Sequence, residues 1–288
     1  MYEILKDYRC DKALRDSFND LAGSTFGGLN FEGWYQNGFW GDNYNPHSIV
    51  LDGKVVANVS VNRTDLLIGG QRKKIFQLGT VMTDPAYRNR GLIRAIMEEV
   101  NRELADADGV YLFGNDNVVD FYPKFGFRGA VEWQYSKTVN IQGNCRVEQV
   151  IMGNPDAWAV LQKAMEENTY HPGCDMVGNP DLIFFYVSQF IQDAVYYCRD
   201  LDAWIIAEPE ENRLMLHNVF CKNEISLDDV IAAFGSGVEY VTLGFAPVDP
   251  EGWTVEEYRE EDCNFFVRGA VFDTFQQQKL RIPSLSHA

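Results

Sequence analysis

The chain has 288 residues, 46% of them hydrophobic and 14% aromatic, with 42 Asp and Glu against 25 Lys and Arg for a formal charge of −17. The apolar content is ample for a packed core and excludes disorder over most of the length, which allows one large domain or two ordinary ones. An acidic chain lacks the cationic footprint that displaces counterions from phosphates, so nucleic acid is excluded as a partner; a cationic ligand, or plain solubility, suits the charge better.

The charge is unevenly spread. Residues 1–143 hold 16 basic and 18 acidic side chains, net −2, and residues 144–288 hold 9 and 24, net −15. Such asymmetry predicts two units with different surface roles. Cys10, Cys145, Cys174, Cys198, Cys221 and Cys263 form no Cys-x-x-Cys pair, and His171-Pro-Gly-Cys174 has no second ligand pair, so no metal is expected. The first nine residues are too charged for a secretion signal, and the apolar run Leu182 to Ile191 is broken by Ser188 and Gln189 and too short for a bilayer. A soluble, cytoplasmic chain without a membrane partner is expected.

Asp11 to Ala22 has Ala13, Leu14, Phe18 and Leu21 spaced for an amphipathic helix that ends at Gly23. Phe26 to Pro46 is rich in Gly, Asn and aromatics and has no clear period. Lys54 to Asn62 alternates Val55, Ala57, Val59 and Val61 with Val56, Asn58, Ser60 and Asn62, which predicts a strand with one buried face. Leu66 to Ile68, Gly69-Gly70 and a second run toward Lys74 predict a tight hairpin. Ile75 to Thr83 is a strand closed by Asp84-Pro85, and from Gly91 a helical stripe of Leu92, Ile93, Ile96, Met97, Val100 and Leu104 takes over. Val110 to Phe113 is a short strand, and Val118 to Phe125 a brief helix ended by Gly126. The order predicts an α/β (α+β) unit with at least one parallel crossover.

The pattern restarts between Gly143 and Pro155, which places the boundary between residues 1–143 and 144–288. Asn154-Pro155-Asp156 and Asn179-Pro180-Asp181 share one helix-start grammar of cap, first-turn proline and acid. Strands are expected at Ala194 to Cys198, Ala203 to Ala207, Leu214 to Phe220, Val238 to Phe245 and Asn264 to Val271, with a helix capped by Ser226. This resembles the order of the first half.

The chemistry concentrates in Thr80-Val-Met-Thr-Asp-Pro-Ala-Tyr-Arg-Asn-Arg-Gly-Leu-Ile-Arg-Ala-Ile-Met97. A strand ends at proline, a basic turn follows, and a helix starts at Gly91, so free amides and a positive helix end converge on one point. That is a site for a phosphorylated ligand. The spacings Gly-x-x-x-x-Gly-Lys and Gly-x-Gly-x-x-Gly are both missing. Arg88-Asn-Arg-Gly-Leu-Ile93 resembles the acetyl-coenzyme A loop of the Gcn5-related N-acetyltransferases, Arg/Gln-x-x-Gly-x-Gly/Ala, departing only at Ile93. Asn115-Asp-Asn-Val-Val-Asp-Phe-Tyr-Pro-Lys-Phe-Gly-Phe127 resembles the later motif of that family. The Arg-Gly-Leu-Ile variant is similar to the enhanced-intracellular-survival branch, whose multi-domain enzymes acetylate amines on aminoglycosides or lysines, here without the third domain.

The resemblance implies the acyl-CoA N-acyltransferase fold, a mixed twisted sheet with flanking helices, followed by a second, degenerate copy that has lost the cofactor loop. It implies one acetyl-CoA per chain as donor, and direct attack of an amine on the thioester. Backbone groups of Val81, Met82 and Thr83 would meet the pantetheine arm, and amides of Asn89, Arg90, Gly91, Leu92, Ile93 and Arg94 the pyrophosphate. Asn115 or Asn117 would bond the distal arm, and Tyr122 would protonate the leaving thiolate. Arg72, Lys73 and Lys74 either gather the 3′-phosphate or are simply exposed. Trp34, Tyr35, Phe39 and Trp40 either form the acceptor pocket or pack onto the core. The base is left open among Glu32, Asp65, Asp84 and a water chain; that branch uses its own carboxyl terminus, a role the resemblance does not carry to Ala288. The acceptor is expected to be a small cationic amine such as an aminoglycoside, a polyamine or a lysine side chain. A non-catalytic acyl-CoA sensor is the alternative, and the apolar faces permit a dimer without fixing one.

Overall fold

The computed structural model describes residues 2–287, so Ala288 lies outside the described residues. The first half contains β1 (Ile4–Leu5), α1 (Lys12–Thr25), α2 (Glu32–Gln36), β2 (Tyr44–Leu51), β3 (Lys54–Arg63), β4 (Leu66–Ile68), β5 (Gln71–Lys73), β6 (Ile75–Thr83), α3 (Leu92–Glu103) and β7 (Gly109–Gly114). Next come β8 (Arg128–Gly129), β9 (Glu132–Thr138), β10 (Val147–Gln149), α4 (Pro155–Glu166), β11 (Cys174–Met176) and α5 (Pro180–Gln189). The chain continues with β12 (Val195–Cys198), β13 (Ala203–Glu210), β14 (Arg213–Cys221), α6 (Leu227–Ala232), β15 (Tyr240–Leu243), β16 (Thr254–Tyr258), β17 (Asn264–Arg268) and α7 (Val271–Gln277).

Local chemistry sets most helix starts. The Asp11 carboxylate accepts the Ala13 and Leu14 amides, Asn154 and Asn179 accept the Ala157 and Leu182 amides, and Ser226 accepts that of Asp229. α1 runs past Gly23 to Thr25, where the Ser24 and Thr25 hydroxyls donate back to the Leu21 carbonyl. β3 departs from its expected half-exposure, because residues 55–62 are buried on both faces. Its polar side chains face not water but a second layer of protein, so each needs an internal partner.

Among the described residues the strands form two seven-stranded sheets, β1-β2-β3-β6-β7-β17-β8 and β10-β12-β13-β14-β15-β9-β16, and a three-stranded one, β11-β4-β5. Each large sheet is antiparallel except for one central parallel pair, β6 with β7 and β14 with β15. The two halves therefore repeat one plan, with a twist at the end of each. β9, from the first half, closes the second sheet beside β15, while β17, from the second half, closes the first beside β7. The division expected at Gly143 does not coincide with the sheets. Each half covers the strand edge that the other leaves bare, and a bare edge is a liability in water.

The aromatic stretch after α1 fills the seam between the halves. Phe31 stacks on Phe185 of α5 with ring centroids 5.3 Å apart, the Trp34 indole donates to the Asp181 carbonyl at 2.9 Å, and Phe39 packs against Trp158 and Phe184. Trp34 and Trp40 are 1% and 4% exposed. Phe185→Ala is expected to cost about 3–5 kcal/mol of unfolding free energy in a denaturant titration; a loss below about 1 kcal/mol would show that the seam is not part of the common core.

Candidate acyl-transfer site

β6 and β7 pair in parallel from Ile75 and Gly109 to Leu78 and Leu112 and no further. Beyond that point Gly79–Thr83 stay with β3, while Phe113 and Gly114 stay with β17. The sheet splits between them. The cause lies at Thr80, whose φ of +49° sits at an irregularity in the β3–β6 register and turns the strand away. A buried polar chain holds that conformation. Tyr8 and Ser48 share a hydrogen bond of 2.7 Å, Ser48 donates to Asn58 at 2.8 Å, and Asn58 donates to Ser60 at 2.9 Å and to the Thr80 carbonyl at 2.8 Å. The Tyr44 and Thr80 hydroxyls are 2.6 Å apart.

The free edge of Val81, Met82 and Thr83 leads to the turn. The Asp84 carboxylate accepts the Ala86 amide at 2.8 Å, and the backbone then passes through left-handed geometry at Asn89 (φ +61°) and Gly91 (φ +75°). The first intrahelical bond of α3 runs from the Ala95 amide to the Gly91 carbonyl, no side chain caps this end, and no acid sits in its first turn. The amides of Leu92, Ile93 and Arg94 therefore lack intrahelical acceptors. A Cβ built on Gly91 would meet nothing within 4 Å, so the backbone there faces open space. Arg88 and Arg90 lie over the turn, donating to the Thr83 and Ala86 carbonyls, and Arg94 is exposed. Bare amides, a positive helix end and three guanidiniums suit a pyrophosphate. Ile93, in the position of the family's small residue, is half-buried against the core beneath α3.

Tyr122 opens a short turn ended by Gly126 (φ +85°). Its ring packs on Gly114 so closely that a Cβ there would lie 2.8 Å from Cε2, and on Phe266 at 5.4 Å. Among the described residues its hydroxyl has no hydrogen-bond partner. Burial alone pushes its pKa up to about 12, so the phenol keeps its proton throughout the physiological range. Asn115 and Asn117 are exposed just beyond β7, with the Asn115 side chain accepting the Asn117 amide at 3.2 Å.

On the other face of β7, below Phe113, a cavity of about 710 Å³ is lined by Asp116, Glu132, Glu260, Glu261 and Asp262 with Arg259 as its one guanidinium. The His287 ring stacks on Phe113 with centroids 4.2 Å apart. Sequence reasoning passed over this cavity because its carboxylates come from three distant segments. The aromatic residues expected at the acceptor do not line this cavity: Trp34 and Trp40 are buried in the seam, Tyr35 lies under the Arg15 guanidinium, and Phe39 packs on α4 and α5. The three carboxylates weighed as bases are also engaged. Arg15 bonds Glu32 and holds its carboxyl down to about 2; burial raises Asp65, but Arg63 and Arg72 outweigh it and keep it low; Asp84 caps its turn. Arg72 is thereby committed to Asp65, and Lys74 pairs with Asp106 at 2.8 Å.

The second parallel pair splits in the same way beyond Leu216 and Leu243, but the chain fills the gap. The Ser284 amide donates to the Gly244 carbonyl at 2.7 Å, the Ser284 hydroxyl and His217 Nδ1 share a bond of 2.8 Å, and any Cβ on Gly244 would collide with Ser284. α6 is closed to anions as well, being capped by Ser226 and carrying Asp228 and Asp229 in its first turn. No group of three or more metal-ligating side chains, and no helix long and apolar enough to cross a membrane, occurs among the described residues.

Residues 16–130, which hold the split, the turn and Tyr122, match the family described as Acetyltransferase (GNAT) domain. The chain carries a GNAT acetyltransferase domain. Residues 16–130 thus form a GNAT-type acyltransferase domain, and the fold of the chain as a whole is similar to that of several solved structures. A conserved protein of unknown function from Enterococcus faecalis V583, described as a probable N-acyltransferase, superposes over 96% of this chain and 74% of its own, with a TM-score of 0.62 and 14% identity. Eis1 from Mycobacterium abscessus does so over 96% and 76%, at 0.57 and 12%. A GCN5-related N-acetyltransferase from Kribbella flavida does so over 92% and 71%, at 0.56 and 16%.

Since no group among the described residues holds the Tyr122 hydroxyl, Tyr122→Phe is expected to change the unfolding free energy by less than about 1 kcal/mol, while Gly114→Ala, which drives a methyl into the ring, should cost about 1–3 kcal/mol. Urea titrations of the two variants check this; a large loss in Tyr122→Phe would mean that the hydroxyl has a structural partner.

Proposed function

We propose that the protein transfers the acetyl group of acetyl-CoA to a primary amine of a small cationic acceptor, with one donor bound per chain. The observation that carries the reading is the split between β6 and β7, which runs into the uncapped, arginine-flanked start of α3. Amides from Asn89 to Arg94 would hold the pyrophosphate, and the free edge of Val81 to Thr83 would bond the amide-bearing arm as an added strand would. Acetyl-CoA supplies an activated carbonyl on a sulfur that leaves. Tyr122 holds a proton for that sulfur, and its burial keeps the proton in place until it is needed. The cavity beside Phe113 supports a cationic acceptor, since five carboxylates line it against one guanidinium. Glu260, Glu261 and Asp262 come from the acidic second half, which joins the charge asymmetry to the acceptor entrance.

Free thiol release, followed over a panel of aminoglycosides, polyamines and lysine derivatives, tests the reading; release with none of them would favour a non-catalytic acyl-CoA sensor. For an active acceptor, Tyr122→Phe is expected to lower kcat by about 100-fold with donor affinity unchanged, and unaltered turnover would remove Tyr122 from the chemistry. Raising the salt should raise KM for polycationic amines; a KM indifferent to salt would assign the acidity to solubility alone.

A further inference from the structure

We infer that His287 takes the proton from the attacking amine, on the face of the first sheet opposite Tyr122. This rests on the acetyl-transfer reading above and adds to it the group that reading lacks. Phe113 and Gly114 are the first residues of β7 beyond the pairing with β6, and successive residues of a strand face opposite sides. Tyr122 packs against the Gly114 side and His287 against Phe113. The split is thus flanked by a phenol on one face and an imidazole on the other.

The segment that carries His287 is held in place. The Ile282 amide donates to Glu132 at 2.9 Å, the Tyr111 hydroxyl donates to the Ser286 carbonyl at 2.7 Å, and Ser284 is bonded to Gly244 and His217. His287 Nε2 lies 3.3 Å from the Ile282 carbonyl and 3.5 Å from the Glu132 carboxylate, so that nitrogen carries the hydrogen. Nδ1 has no partner among the described residues and is left as the proton acceptor. The charged and titratable groups around the cavity are Asp116 after β7, Glu132 on β9, the Tyr258 phenol at the end of β16, and Arg259, Glu260, Glu261, Asp262 and the Cys263 thiol between β16 and β17. Glu132 itself is occupied by the Ile282 amide, and Glu32, Asp65 and Asp84 do not line the cavity.

The step balances. The amine nitrogen forms a bond to the acetyl carbon as the carbon–sulfur bond breaks; the electron pair of that bond goes to sulfur, which takes the Tyr122 proton. The nitrogen loses its proton to His287, and exchange with solvent restores both residues. An acceptor that arrives as an ammonium ion yields one further proton to solvent.

The test compares wild type, His287→Ala and His287→Gln by thiol release across pH, with donor affinity measured by calorimetry. Wild-type kcat should fall on acidification. Both variants should bind the donor as wild type does, lose about 100-fold in kcat at neutral pH and lose that acid limb, and added imidazole should restore turnover to His287→Ala. A variant that folds, binds donor and keeps either its rate or the acid limb overturns the assignment of His287 while leaving acetyl transfer intact. Wild type that releases no thiol with any amine of the panel overturns both.

Discussion

The structure depends on a backbone conformation at Thr80 that a threonine does not favour. Left-handed geometry at a β-branched residue costs about 1–3 kcal/mol and persists only where its surroundings over-determine it. Here they do, because the carbonyl and hydroxyl of Thr80 are both bonded from a buried layer that joins Tyr8, Ser48, Asn58, Ser60 and Tyr44. Each of these groups would be costly to leave unpaired away from water. The network therefore holds β6 bent off β7, and the bend opens the sheet on both faces while leaving the flanking strands paired.

The same opening occurs twice in the chain and is surrounded differently each time. In the first sheet it leads to bare amides and arginines, and in the second it is closed by Ser284, with acids and a serine cap at the neighbouring helix start. The segment that closes the second opening continues to Phe113 at the first. Strand exchange adds to this interdependence, since β17 supports the edge of β7 at which the site is built. The second half thus supports the edge of β7 and contributes carboxylates to the cavity beside Phe113, which on the proposed reading admits the acceptor.

What was legible in the sequence was local. The strand from Ile75 to Thr83, the break at Pro85, the helix after Gly91 and the two Asn-Pro-Asp starts follow from prolines, caps and periods that act within a few residues, and each element lies where expected. Long-range effects were not legible. Asn58, Ser60 and Asn62 read as a solvent face, but a second layer covers them, and only the fold shows that their partners are Ser48, Thr80 and Asn179. The exchange of β9 and β17 left no local mark, because an alternating strand gives no sign of which sheet it will join. The acidic cavity was hidden for the same reason, its residues lying near positions 116, 132 and 260. Trp34 and Trp40 carried two readings, and burial against α5 places them in the seam.

The central claim is that two similar openings in one chain leave a single donor site. Calorimetric titration with coenzyme A, on wild type and on Gly91→Val, tests it most directly, since a branched side chain at φ +75° would both strain the turn and intrude on the open backbone. The account predicts one coenzyme A per wild-type chain and loss of that binding in the variant. Two bound per chain, or full binding by Gly91→Val, would contradict it.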